Sequence, residues 1–109
     1  MQTDDLQPLD FDQPFEADSC CQAHLDFYQL NFAAQMDNVS HQIGYIDSHP
    51  YKIACYYFSV EAPIKTCFII HGYMDHIGLY HKIIGHLLMQ NINVVAVDLP
   101  GHGLSSGDK

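Results

Sequence analysis

Two short strings hold most of the residues able to do chemistry. The first runs from His71 to His81, HGYMDHIGLYH, directly after an apolar stretch. Three chemistries fit it. In the blandest, Gly72 lets the chain leave a strand sharply and the histidines only hydrogen-bond. In the second, His71, Asp75 and His76 are metal ligands, although Tyr73 stands where a further imidazole would be needed. In the third, the His-Gly turn aims backbone N–H groups at a developing negative charge, as an oxyanion loop does. The string sits at the carboxyl end of an expected buried strand, where open α/β sheets bind their ligands.

The second string is DLPGHGLSSG, Asp98 to Gly107, again directly after an apolar run. Residues Gly103 to Gly107 satisfy the G-x-S-x-G expression of a nucleophile elbow. An elbow, however, holds its serine on a strained turn between a strand and a helix. Pro100-Gly101-His102 is not a strand, and two residues after Gly107 do not make a helix. Ser105 is therefore read as part of a Gly/Ser loop and not as a nucleophile. A Ser–His–acid unit also needs a base within about 3 Å of the nucleophile and an acid that orients it. None of the eight histidines is assigned that role. His71 and His102 are read as fixing loops by hydrogen bonding, and Asp98, at a strand end, as structural.

The elements that must position these strings follow from hydrophobic period. Cys21, Leu25, Tyr28, Phe32 and Met36 recur every three or four residues, which predicts one amphipathic helix with Asp18 or Ser19 as its N-cap. Val39–Asp47 and Tyr51–Phe58 are β-rich runs joined by Ser48 to Pro50, an antiparallel hairpin, and Glu61 to Pro63 breaks the pattern. Cys67–Ile70 and Ile92–Val97 are short continuous apolar runs of the kind buried on both faces of a parallel sheet. Leu79, Tyr80, Ile83, Ile84, Leu87 and Leu88 mark one face of a helix between them, closed by Asn91. Strand, helix, strand in about thirty residues is a βαβ crossover, so the fold class is α/β.

Composition narrows the partners. The 109 residues are 48% hydrophobic and carry a net charge of −9, from thirteen acids and four lysines. Residues 1–50 hold nine of the acids and no Lys or Arg, so nothing attracts phosphate and nucleic acid is an unsuitable partner. Residues 1–18 read as an acidic, irregular or mobile arm, and 19–109 as one incomplete domain. No secretory signal or membrane-length apolar run is visible, which leaves peripheral contact with a membrane surface open. Cys20, Cys21, Cys55 and Cys67 show no C-x-x-C spacing and read as thiols in a reducing, cytoplasmic setting. No cofactor is expected.

The metal alternative rests on a partial match to the H-x-H-x-D-H pattern of metallo-β-lactamase-like hydrolases. Strand, His-Gly loop, helix, strand and DLPGHGLSSG together resemble the N-terminal third of α/β-hydrolase-fold serine hydrolases, over residues 39–107. The resemblance is nearest to the lysophospholipase, monoacylglycerol-lipase and serine-aminopeptidase-like branch. It implies a truncated α/β-hydrolase: helix, antiparallel hairpin, then the first crossover of a mostly parallel sheet. It implies a small acyl ester as substrate, hydrolysed through an acyl-enzyme. It also implies that Tyr73 supplies a backbone oxyanion donor, with His71, Gly72, Asp98, Gly101, His102 and Gly103 shaping the loops. Met74, Asp75 and His76 would line the acyl pocket. On the same resemblance the elbow, acid and base lie outside this chain, so it is expected to be inactive alone. The rival from another class is a non-catalytic interaction fragment, using the unfinished sheet edge or the acidic arm.

Overall fold

Alternating and continuous apolar runs pair as their periods require. In a computed structural model, which describes residues 1–10 and 19–108, four strands form one sheet in the order β1-β2-β4-β3. Strands β1 (Val39–Ser48) and β2 (Tyr51–Val60) form the antiparallel hairpin, from Val39 opposite Val60 to Ser48 opposite Tyr51, leaving His49 and Pro50 as the loop. Strand β4 (Ile92–Val97) lies antiparallel to β2 and parallel to β3 (Lys65–Ile70), with Ile70 beside Val97. Both informative strings therefore leave the sheet side by side, from the carboxyl ends of two neighbouring parallel strands.

Helices cover one face. Tyr56 and Phe58 of β2, Val94 and Ala96 of β4 and Ile69 of β3 form the core with Leu25, Leu30, Phe32, Ile84 and Leu88. The expected single helix from Cys21 to Met36 is instead two, α1 (Ser19–Phe27) and α2 (Phe32–Gln35). Gln29 takes a left-handed φ of 60°, Leu30 N–H donates to Leu25 C=O (2.8 Å) and Gln29 N–H to Asp26 C=O (3.2 Å). That pattern is a Schellman cap, and the buried Leu25 and Leu30 supply its usual apolar contact. The three- and four-residue spacing survives the break, because α2 packs Phe32 edge-on against Phe58 at 5.6 Å.

The crossover helix α3 (His81–Met89) ends at Asn91, whose φ of 61° and N–H to Leu88 C=O (3.1 Å) stop it where the sequence places the stop. Its start is later than expected, since Ile77–Leu79 forms a 3₁₀ turn first. The buried stripe is also narrower: Ile84 and Leu88 are inside, while Leu79 and Ile83 are exposed. Strand β3 departs from its expected burial too. Ile69 faces the helices, but Phe68 (73% exposed) and Ile70 (69%) stand on the uncovered face.

The first ten residues are irregular in backbone yet anchored. Leu6 is buried, Tyr45 N–H donates to Gln7 C=O (2.9 Å) and Leu9 N–H to Tyr45 C=O (3.0 Å), so the segment bridges onto β1. Gly44 permits this approach: a Cβ there would lie 2.7 Å from the Gln7 carbonyl. The expected N-cap Asp18 and the rest of residues 11–18 lie outside the described residues. None of the four cysteines forms a disulfide. Among the described residues no helix is long and apolar enough to cross a membrane.

Candidate active site

Asp98, at the end of β4, has a fully buried carboxylate. Its Oδ1 accepts the Ile77 N–H (2.8 Å) from the loop after β3, and its Oδ2 accepts the Leu104 N–H (3.0 Å) from its own loop. The Tyr56 hydroxyl donates to Oδ2 from below (3.4 Å). Buried charge is tolerated where backbone N–H groups solvate it, and each such charged hydrogen bond contributes about 1.5–3 kcal/mol. Asp98 thus ties both loops to the sheet and has no partner arrangement suited to orienting a catalytic histidine. Burial first, then the neighbouring Asp98 charge, pushes the Tyr56 phenol well above its ordinary range. The Tyr56 hydroxyl also meets His24 Nε2 of α1 at 3.1 Å, and burial holds that imidazole below its ordinary value, against the raising effect of Asp98.

The G-x-S-x-G string is a loop sewn onto β2. Ser105 is fully buried; its Oγ accepts the Ala54 N–H (2.8 Å) and donates to the Asp98 backbone carbonyl (2.5 Å). Ser106 accepts the Lys52 N–H through Oγ (2.8 Å) and donates its own N–H to Lys52 C=O (2.9 Å). A hydroxyl sealed between two backbone groups cannot attack a substrate. The loop turns on Gly101 (φ 75°) and Gly103 (φ 48°). A Cβ at Gly103 would overlap the Asp98 carboxylate, so both the backbone angle and the close approach require glycine there.

Two histidines cross-link the loops. His71, buried at the end of β3, accepts the Leu99 N–H through Nε2 (2.8 Å), and its Nδ1 lies 2.7 Å from the Gly72 carbonyl. His102 accepts the Met74 N–H through Nε2 (3.2 Å), with Nδ1 3.0 Å from the Pro100 carbonyl. Between them lies a tight turn, closed by Asp75 N–H to Gly72 C=O (3.2 Å). The residue in left-handed conformation is Met74 (φ 65°), not Gly72, whose φ is ordinary and whose missing Cβ would meet open space. Gly72 therefore leaves the strand without a left-handed angle: the type II turn places its positive φ at the third position, which Met74 occupies.

Tyr73 stands at the turn's crest, 86% exposed. Among the described residues its backbone N–H has no acceptor, whereas those of Met74 and Asp75, the next two residues, are engaged. A cavity of about 400 Å³ opens beside it, lined by Tyr73, Met74, Asp75, His76, His102 and Gly103 among others. The three residues of the metal alternative are spent on separate partners. His71 holds Leu99, Asp75 accepts the Tyr80 hydroxyl (2.9 Å), and His76 accepts the Gly78 N–H through Nδ1 (3.1 Å). Among the described residues, no three His, Cys, Asp or Glu are grouped to hold a metal ion. The hydrogen bond to Asp75 also holds the Tyr80 phenol above its ordinary value.

Sequence reasoning did not foresee His24 or Tyr56, since each looks like one more residue of an amphipathic element. A buried Asp98 in want of donors was the available signal.

Comparison with known proteins agrees with this architecture. Residues 61–109 match the family model described as serine aminopeptidase, S33. An uncharacterized abhydrolase domain-containing protein of Dictyostelium discoideum is 44% identical over 45 residues, 41% of this chain and 5% of that protein. Among solved structures, a predicted CIB-like hydrolase from Thermoplasma acidophilum superposes with a TM-score of 0.55 at 20% identity, over 65% of this chain and 35% of the other. A thioesterase domain from the curacin biosynthetic pathway gives 0.54 at 24% identity, over 62% and 24%. The chain thus spans a small part of the proteins it matches, and what it shares with them is the first part of an α/β-hydrolase fold.

Proposed function

We propose that this α/β-hydrolase sheet belongs to a serine hydrolase that cleaves a carboxylic ester through an acyl-enzyme, and that the chain contributes one donor of its oxyanion hole. The observation that carries the reading is the unengaged Tyr73 N–H at the crest of a clamped turn, in a residue that lines a cavity at the carboxyl end of a parallel strand. A backbone donor fixed before reaction stabilises a developing oxyanion without reorganising, and one such donor is worth about 2.7–4 kcal/mol in an intact site. His71, His102 and Asp98 keep the loop in place. Ser105 and Ser106 are consumed by β2 and supply no nucleophile. The nucleophile, its base and its acid are then carried by residues outside this sequence, and the chain alone is inactive.

The substrate class we favour is a monoacylglycerol or lysophospholipid, met in the cytoplasm or at a membrane surface. Supporting an ester of modest size is a cavity of about 400 Å³, within the usual range for small-molecule sites. The test is hydrolysis of monoacylglycerols and lysophospholipids by the protein made from the locus with its reading frame extended past Lys109, beside the 109-residue chain. Turnover by the extended protein alone supports the reading. Turnover by the short chain, abolished by Ser105→Ala, or turnover lost to a chelator, contradicts it.

A second reading, an interaction fragment, draws on Phe68 and Ile70 on the uncovered face of β3. Esterase-negative extended protein would favour it.

A further inference from the structure

The partners of His71 and His102 fix the protonation state of both rings. In each, Nδ1 faces a carbonyl, Gly72 at 2.7 Å and Pro100 at 3.0 Å, which accepts and cannot donate. In each, Nε2 faces a backbone N–H, Leu99 at 2.8 Å and Met74 at 3.2 Å, which donates and cannot accept. Both rings are therefore neutral, with the proton on Nδ1 and the lone pair on Nε2. The bonds also cross. His71 belongs to the loop after β3 and holds Leu99 of the loop after β4, while His102 belongs to the second loop and holds Met74 of the first. The two rings lie 5.0 Å apart.

We propose that His71 and His102 are positioning residues that form one reciprocal, charge-neutral clamp, which holds the turn presenting the Tyr73 N–H and releases it when either ring is protonated. A proton on Nε2 sets donor against donor and places a cation 5.0 Å from the second imidazole. The turn cannot absorb this loss easily, because Met74 sits in the left-handed region that a non-glycine residue keeps only when its surroundings hold it there. Other groups face the clamp. Tyr73 lies edge-on to His102 at 5.9 Å, and Asp75, Asp108 and His76 line the same cavity as His102. The link to an oxyanion donor rests on the function proposed above; the clamp itself does not.

The test is nitrogen-15 NMR of the whole chain, on a Phe68→Lys background that removes exposed apolar surface from β3. At neutral pH both rings should show a protonated Nδ1 and a bare Nε2. On acidification the Met74 amide should shift with the midpoint of the His102 ring, and the Leu99 amide with that of His71. His102→Gln keeps an acceptor within reach and does not titrate, so the Met74 amide should stay near its wild-type position and lose its pH dependence. His102→Leu should displace it at every pH. An Nε2–H tautomer in either ring overturns the clamp. So does a Met74 amide indifferent to His102 protonation, or a Gln variant that behaves like the Leu one. None of these readouts involves hydrolysis, so a failed clamp and a failed hydrolase assignment give different results.

Discussion

Removing the Ser105 hydroxyl should unsettle the fold without touching chemistry. In Ser105→Ala the Ala54 N–H of β2 loses its acceptor at 2.8 Å, and the Asp98 carbonyl loses its donor. Ser105 is fully buried, so water cannot replace either partner without opening the loop. A buried donor left unsatisfied costs about 1–3 kcal/mol, and the second, ordinary hydrogen bond contributes about 1 kcal/mol. The expected loss is therefore about 2–4 kcal/mol, a large share of the stability of a chain this size. Urea unfolding followed by circular dichroism reads it as a lower midpoint with an unchanged slope. Ser106→Ala, at a half-buried position with one comparable bond, should cost less. A Ser105→Ala change below about 0.5 kcal/mol, the range of an ordinary surface substitution, would refute the structural role given to this hydroxyl.

Other perturbations have equally definite outcomes. Gly103→Ala forces a Cβ into the Asp98 carboxylate at a positive φ, so it should destabilise by at least about 2 kcal/mol, read by the same unfolding curve. Burial lowers the His24 pKa below 6.5, so the unfolded chain binds the proton first. Its contribution is complete above pH 6.5 and is lost as the pH falls toward the folded value. His41 is shifted the same way, so His24→Gln should flatten only part of the acid limb of stability against pH. Finally, Phe68 and Ile70 leave an edge strand apolar on its open face, so the chain should self-associate with rising concentration, and Phe68→Lys should reduce this in sedimentation velocity.

What the sequence made legible was what period and punctuation encode. Continuous runs at Cys67–Ile70 and Ile92–Val97 gave the parallel pair, and Asn91 marked the end of α3. The residues around Ser105 excluded an elbow because Pro100-Gly101-His102 cannot be a strand. Tertiary effects decided the rest. The break at Gln29 is a left-handed cap held by two buried leucines, and a helical stripe runs through it without changing period. The glycine after His71 marks a sharp exit from the strand, yet the turn type puts the positive φ at Met74, a residue that carries no turn signal of its own. The crossed histidine bonds link residues twenty-eight apart, a pairing that no local pattern reports. The anchoring of residues 1–10 against Gly44 was equally hidden, since an acidic, proline-containing segment gives no strand signal.

Covalent labelling locates the nucleophilic serine. The extended product of the locus and the 109-residue chain would each be treated with a fluorophosphonate, digested and mapped by mass spectrometry. A single adduct is expected in the extended protein, on a serine beyond residue 109, and none in the short chain. A stoichiometric adduct on Ser105 or Ser106 in either protein would contradict this placement of the nucleophile.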